Sequence, residues 1–391
     1  MKAAIIAGSR TPFVGANSAF AKLSAVDLGK EAVRDALARS GLPGFRVNHV
    51  VYGTVVSDTQ APNIAREVGL AVLPKNVPAV SVSRACASAN QAITGAAEMI
   101  EMGYADVVIA GGGESLSRIP ITASDRLSRS LVRAAKGKTL SRKIAAFRGL
   151  RPRDLVPITP AIAEPSTGET MGESAERMAK ENGISREDQD GWALRSHRLA
   201  AAGTRDGRLT KELVSVYVPP DYETVVSGDD GIRIDTSSEQ LAKLRPVFDR
   251  TFGSVTAGNS SPLTDGASAV VLMNGEKALA EGIEPLGWVR SWAWAGLDPS
   301  GQLLQGPAYA VPIALERAGL SMKDIGLMEM HEAFAAQVLS NLQALSSKSF
   351  AESELGHTEA VGHPDIERIN VMGGSIAIGH PFGATGARLT I

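Results

Sequence analysis

The first apolar run, AAIIAGSR from Ala3, is far shorter than a membrane span and leads into TPF. It predicts the opening strand of the fold. An amphipathic stretch of helical period then closes in ALARSGL, Ala36 to Leu42, and is followed by the apolar strand VVYGTVV from Val50. The same order returns later, where ALERAGL, Ala314 to Leu320, precedes IGLMEM from Ile325. Each half next carries a second apolar strand that runs into a helix of small residues. These are PAVSVSRACASANQAITGAAEMI around Cys86 and INVMGGSIAIGHPFGATGARL around His380. Two copies of one βα unit are therefore expected, with Cys86 and His380 at equivalent strand-to-helix junctions. The first copy goes on to the strand DVVIAG and the glycines 111 to 113. The second is expected to continue past Ile391 through the rest of its helix and a strand.

Between about Pro120 and Val247 the texture changes. SRSLVRAAKGKTLSRKIAAFRGLRPR, from Ser128, is strongly basic with little strand character, and helices are expected to begin near Met171 and Arg186. The predicted organisation is an N-terminal half over 1–120, an inserted loop domain over 121–247, the completion of the first half over 248–275, and a C-terminal half over 276–391.

Composition narrows the class. With 44% apolar and 21% charged residues the chain can build two or more α/β cores, which excludes a disordered or fibrous protein. The formal charge of −2 supplies no overall field for polyanions, so nucleic acid is not an expected partner, and no transmembrane segment is read. One cysteine permits neither an intrachain disulfide nor a cysteine metal cluster. That points to a reducing compartment, the cytoplasm.

The single thiol then needs a role. At a helix start Cys86 would face unpaired N–H groups and the positive end of the dipole, which favours thiolate; taken alone, a buried cysteine is more often an inert small hydrophobe. HEAFA, from His331, stands at the exit of a strand. GGSIAIGHPFGATGAR, from Gly373, places His380 in a glycine-rich turn at a helix start. An imidazole there would take a thiol proton and then donate to a developing oxyanion. SVTAGNSSPLTDGASAV, from Ser254, is a small-residue loop that suits a long, thin ligand or a tight structural turn.

Together these segments resemble the thiolase family. The likeness is carried by RTPF at Arg10, NIARE at Asn63, the Cys86 segment, GGGESLSR at Gly111, STGETMGESAERMA at Ser166, TAGNSS at Thr256, HEAFA and GHPFGATGAR. HEAFA in place of NEAFA, with the basic segment and STGETMG, is most similar to the β subunit of the fatty-acid oxidation trifunctional complex.

The resemblance implies an α/β thiolase fold, with two similar halves stacked in five αβαβα layers and an inserted loop domain. It implies cleavage of 3-ketoacyl-CoA by coenzyme A, with Cys86 acylated, His380 activating it, His331 helping to form the oxyanion hole and Glu332 orienting. Ser261, Ala257 and Gly258 would contact coenzyme A, and Met171 would line the acyl pocket. Thr170 stands where many short-chain thiolases have histidine. No metal or redox cofactor is implied; a homodimer or tetramer is, with a hydratase/dehydrogenase α subunit as a further partner. The basic segment over 126–153 is then a solvated face, or a contact for coenzyme A phosphates, a partner subunit or an anionic membrane surface.

The chain departs from the pattern in one respect, because the second cysteine that thiolases carry in a CxG motif is missing from it. Loss of one general acid or base costs about 10²- to 10⁴-fold in rate. That absence supports one rival reading, a non-catalytic scaffold subunit; a second, a condensing enzyme of the same superfamily, also uses Cys and His residues, but HEAFA and GHPFGATGAR favour thiolase.

Overall fold

A computed structural model describes residues 2–158 and 163–391. The chain forms a larger unit, running to Arg118 and resuming at Ala163, and a smaller one between those points.

The larger unit is organised by a seven-stranded mixed sheet. Its strands are β1 (Ala3–Arg10), β2 (Val14–Gly15), β3 (His49–Gly53), β4 (Ala79–Val82), β5 (Val107–Glu114), β8 (Thr264–Asn274) and β9 (Gly287–Trp288). A separate antiparallel hairpin pairs β6 (Val216–Val218) with β7 (Thr224–Val226). The main order is β4-β3-β5-β8-β1-β9, with β2 beside β8. β3 is parallel to both β4 and β5, and β8 is antiparallel to β5 and β1.

Strand alternation divides the core into two faces. Val50, Tyr52, Val107, Ile109, Val271 and Met273 pack with α1 (Ala25–Ser40) and α2 (Ile64–Val72). Val51, Val108, Ala110, Val270 and Leu272 pack with α3 (Ser88–Glu101) and with Ala387 near the end of the chain. A sheet covered on both faces accounts for near-continuous apolar strands such as VVIAG. Burial of Leu28, Val33 and Leu37 on α1 stabilises by about 1.5–3 kcal/mol each, well above any helix-propensity difference. Ser24 and Asp27 form a capping box at its start, and Gly41 at φ 68° ends it.

The second copy of this helix, Gly306–Ala318, ends in the same way at Gly319 with φ 65°. The strand expected from Ile325 differs: it makes a single parallel bridge, Met328 to Ile369, and no ladder. An extended segment becomes a strand only where neighbours supply a row of partners, and one bridge is all it has among the described residues. INVMGG likewise turns at Asn370, whose backbone is left-handed (φ 47°), before the short helix Ser375–Ile378.

In the smaller unit the basic run is helical. It forms α4 (Asp125–Lys136), capped by Ser124, and α5 (Leu140–Ala145), capped by Thr139. Thr122 and Ile158 exchange backbone hydrogen bonds of 2.9 and 2.8 Å. The larger unit takes up the chain again with α6 (Met171–Glu181) and α7 (Arg186–Arg205), the two helices expected from the sequence.

One close approach ties the sheet to the chain's last glycine-rich turn. A methyl group on Gly112 of β5 would lie 1.9 Å from the Gly383 carbonyl oxygen. Gly112→Ala is therefore expected to cost about 3 kcal/mol through backbone displacement, read as a lower urea midpoint. An unchanged midpoint would show that the turn gives way freely.

Candidate active site

Cys86 sits between β4 and α3. Beyond β4 the chain is exposed at Ser83, Arg84 and Ala85, and Ala85 adopts φ 44°. Ser88 fastens the turn, its hydroxyl accepting from the Arg84 amide (2.8 Å) and donating to the Ala85 carbonyl (2.7 Å). The Arg84 guanidinium lies 4.2 Å from the centre of the Trp294 ring.

His380 arrives from the opposite end of the chain. It follows Gly379, whose φ of 112° favours glycine and where a methyl group would meet Thr264 at 2.7 Å. It precedes the helix Thr385–Thr390 by a turn, so the helix start expected at His380 falls five residues later. Leu263, just before β8, bridges to His380. Glu114 at the end of β5 holds the turn through the Gly383 amide (3.0 Å). The same carboxylate accepts from Thr54 and from the Val55 and Val56 amides, while burial pushes it up to about 7.

The sulfur and two imidazoles meet. His380 Nε2 is 3.2 Å from Cys86 Sγ and 3.1 Å from His331 Nε2. The tautomer of His380 follows from its other nitrogen. The Thr385 hydroxyl donates to the Pro381 carbonyl (3.1 Å) and so accepts from His380 Nδ1–H (2.7 Å). Nε2 is left with a lone pair facing the thiol, the arrangement a base requires. His331 Nδ1 is 2.9 Å from the Ser375 hydroxyl.

Electrostatics correct one expectation. Cys86 stands at a helix start, but burial pushes the thiol up to about 11, with a backbone hydrogen bond opposing and Glu114 adding to the rise. Burial, then the Arg388 cation, lowers His331 to about 3. Burial, then His331 and Arg388, holds His380 well below the usual histidine range. The resting pair is thus neutral thiol and neutral imidazole rather than thiolate and imidazolium. Below pH 11 the thiolate fraction grows about tenfold per pH unit. Alkylation of Cys86 by iodoacetamide should therefore accelerate steadily across pH 6 to 9, and a plateau above pH 7 would contradict the neutral pair.

Glu332 is fully buried and reaches neither imidazole in this network. It accepts from Trp192 Nε1 (3.0 Å), Asn370 Nδ2 (2.7 Å), the Ser196 hydroxyl (2.7 Å) and the Ile376 amide (3.3 Å). Ser196 also accepts from the Gly374 amide, at 2.9 Å. The carboxylate therefore holds the 374–376 turn, and with it the Ser375 hydroxyl against His331.

Ser261 lies beside HEAFA, its amide donating to the Ala333 carbonyl (2.9 Å). Ala257 and Gly258 belong to a turn closed by Asn259, which accepts from the Thr256 amide (2.8 Å). Met171 opens α6 behind a Thr170–Glu173 capping box and takes no part in the Cys86–His380–His331 hydrogen bonds. Trp192, Ser196 and Asn370 were not among the residues expected at the site. Ser375 and Thr385 lie in GGSIAIGHPFGATGAR, a pattern that assigns them no role by itself.

A thiol held against the bare nitrogen of an imidazole defines a site of the nucleophilic acyl-transfer class. Comparison with known proteins gives the family. A model of the thiolase N-terminal domain matches residues 3–276, and one of the thiolase C-terminal domain matches residues 283–391. The chain belongs to the thiolase family. Over 386 residues it is 51% identical to a 3-ketoacyl-CoA thiolase of Yersinia pestis (strain Pestoides F), covering 98% of this chain and 88% of that one. The 3-ketoacyl-CoA thiolase of Yersinia pseudotuberculosis (strain YPIII, serotype O:3) matches to the same extent. Among solved structures, the acetyl-CoA acetyltransferase of Bacillus anthracis superposes with a TM-score of 0.84 at 33% identity, over 100% of this chain and 90% of that one.

Proposed function

We propose that this thiolase is an acyltransferase that cleaves 3-ketoacyl-CoA with coenzyme A in fatty-acid β-oxidation, through an acyl group carried on Cys86. The observation that carries the reading is the 3.2 Å approach of Cys86 Sγ to the unprotonated Nε2 of His380. As the sulfur attacks the 3-keto carbon its proton passes to His380. The bond between C2 and C3 then breaks, and the acetyl-CoA fragment leaves as an enolate that must be protonated. Coenzyme A thiol next attacks the acyl-Cys86 thioester and restores the free cysteine. His331 and His380, each with an Nε2 beside the sulfur, are the donors we assign to the oxyanions, and Glu332 positions His331 through the 374–376 turn.

Coenzyme A would lie along the Ala257, Gly258 and Ser261 loop, which the Ala333 carbonyl fastens to the histidine motif. Met171 is assigned to the acyl pocket. Among the described residues β4 ends the strand order, and this edge, with Val80 40% exposed, supports a homodimer or tetramer. The resemblance to the trifunctional β subunit supports a hydratase/dehydrogenase partner, and the single cysteine supports a reducing, cytoplasmic location. No helix among the described residues is long and apolar enough to cross a membrane.

Acylation tests the reading apart from complete turnover. After exposure to a 3-ketoacyl-CoA, peptide mass spectrometry should find the acyl group on Cys86, and an adduct elsewhere would overturn the assignment. His380→Gln is expected to slow that acylation by about 10²- to 10⁴-fold.

A further inference from the structure

His331 gives this chain something that an asparagine at the same position would not, a second imidazole nitrogen beside the sulfur. Cys86 Sγ, His331 Nε2 and His380 Nε2 all lie within 4.8 Å of one another. The contacts from His380 Nε2, 3.2 Å to sulfur and 3.1 Å to His331, are close to the edges of a zinc tetrahedron. With Zn–S about 2.3 Å and Zn–N about 2.0–2.1 Å, those edges are about 3.6 Å between S and N and about 3.3 Å between two N atoms.

The remaining ring nitrogens are fixed as they are in metal-binding histidines. Thr385 takes the Nδ1–H of His380, and the Ser375 hydroxyl faces Nδ1 of His331 at 2.9 Å. In the metal-free site His331 donates Nε2–H to His380; because a serine hydroxyl both donates and accepts, metal binding can move the His331 proton to Nδ1, where Ser375 accepts it, and leave Nε2 bare. Both imidazoles then aim lone pairs into the space beside the sulfur. Sγ already lies within 4.8 Å of His331 Nε2, and a rotation of the Cys86 side chain would shorten that third edge.

We infer that Cys86, His331 and His380 form a three-ligand site for a zinc-like divalent cation, which blocks the nucleophile reversibly. Sγ binds as thiolate, its proton leaving to solvent, and each imidazole donates one Nε2 lone pair. Water completes the tetrahedron, and the ion acts as an inhibitor rather than a cofactor. The inference rests on the proposed nucleophilic role of Cys86 only for its effect on catalysis; the coordination itself does not.

Cobalt(II) chloride added to the intact protein is the direct probe. The expected spectrum has a thiolate-to-cobalt charge-transfer band and the intense visible bands of a tetrahedral ion. Zinc chloride should slow iodoacetamide alkylation of Cys86 more than about tenfold, with full recovery on adding EDTA, and His331→Asn should weaken that protection by at least about tenfold. Cys86→Ser should lose the charge-transfer band while its far-ultraviolet circular dichroism shows the fold intact. A wild-type spectrum of octahedral cobalt without the thiolate band overturns the site. Protection unchanged in a folded His331→Asn protein overturns the three-ligand set. Mass spectrometry of acyl-Cys86 keeps the two readings apart, since acylation without metal binding removes only the inference, and metal binding without acylation removes only the catalytic assignment.

Discussion

Cys86→Ser is expected to abolish the acyl-enzyme seen by mass spectrometry and to lower thiolysis by at least about 10⁴-fold. Two physical terms multiply in this variant. A hydroxyl is far less acidic than a thiol, so the neutral His380 imidazole takes its proton much less readily, and neutral oxygen attacks a carbonyl more weakly than sulfur. The fold should be unaffected, because among the described residues the sulfur's side-chain hydrogen bond is the one to His380. Wild-type turnover in the serine variant would mean that the acyl group is carried elsewhere, whereas loss of turnover with a normal denaturation midpoint supports the assignment.

Glu332→Ala is expected to cost about 3–5 kcal/mol, the largest stability effect of any single change at the site. Removing the carboxylate strands Trp192 Nε1, Asn370 Nδ2, the Ser196 hydroxyl and the Ile376 amide in a fully buried space. Urea unfolding measures the loss. Glu332→Gln separates shape from charge, because the amide oxygen still satisfies two donors while its NH₂ opposes the others. An intermediate midpoint is expected, together with slower acylation as Ser375 drifts from His331. If both variants unfold like the wild type, the carboxylate does not organise the turn.

The meeting of Cys86, His331 and His380 was legible because each of these proposed catalytic groups lies in a short local pattern. An apolar run broken by RACAS, and glycines flanking His380, mark positions where a strand ends and a side chain can face a cleft. The first sheet was legible for the same reason: β1, β3 and β5 are apolar runs covered on both faces, and α1 shows its period and its capping glycine. The strand expected from Ile325 did not form a ladder, since a ladder depends on partners that a one-dimensional pattern does not reveal. Trp192 and Ser196 were missed because on α7 they read as ordinary helix positions, and only the tertiary fold brings them to a carboxylate some 140 residues away. The ionisation of Cys86 was misjudged because a helix start is visible in sequence, whereas the packing that pushes the thiol up is not.

Ala85 narrows what evolution or an engineer can place next to the sulfur. Its left-handed backbone, φ 44°, costs about 1–2 kcal/mol for any residue with a Cβ and more for a branched one. Glycine would relax that cost, but it would leave the thiol's anchor free to pivot. Valine or isoleucine would have to rebuild the turn, so diversity in substrate handling has to be sought on the loops facing Cys86, while the step immediately upstream of it stays small.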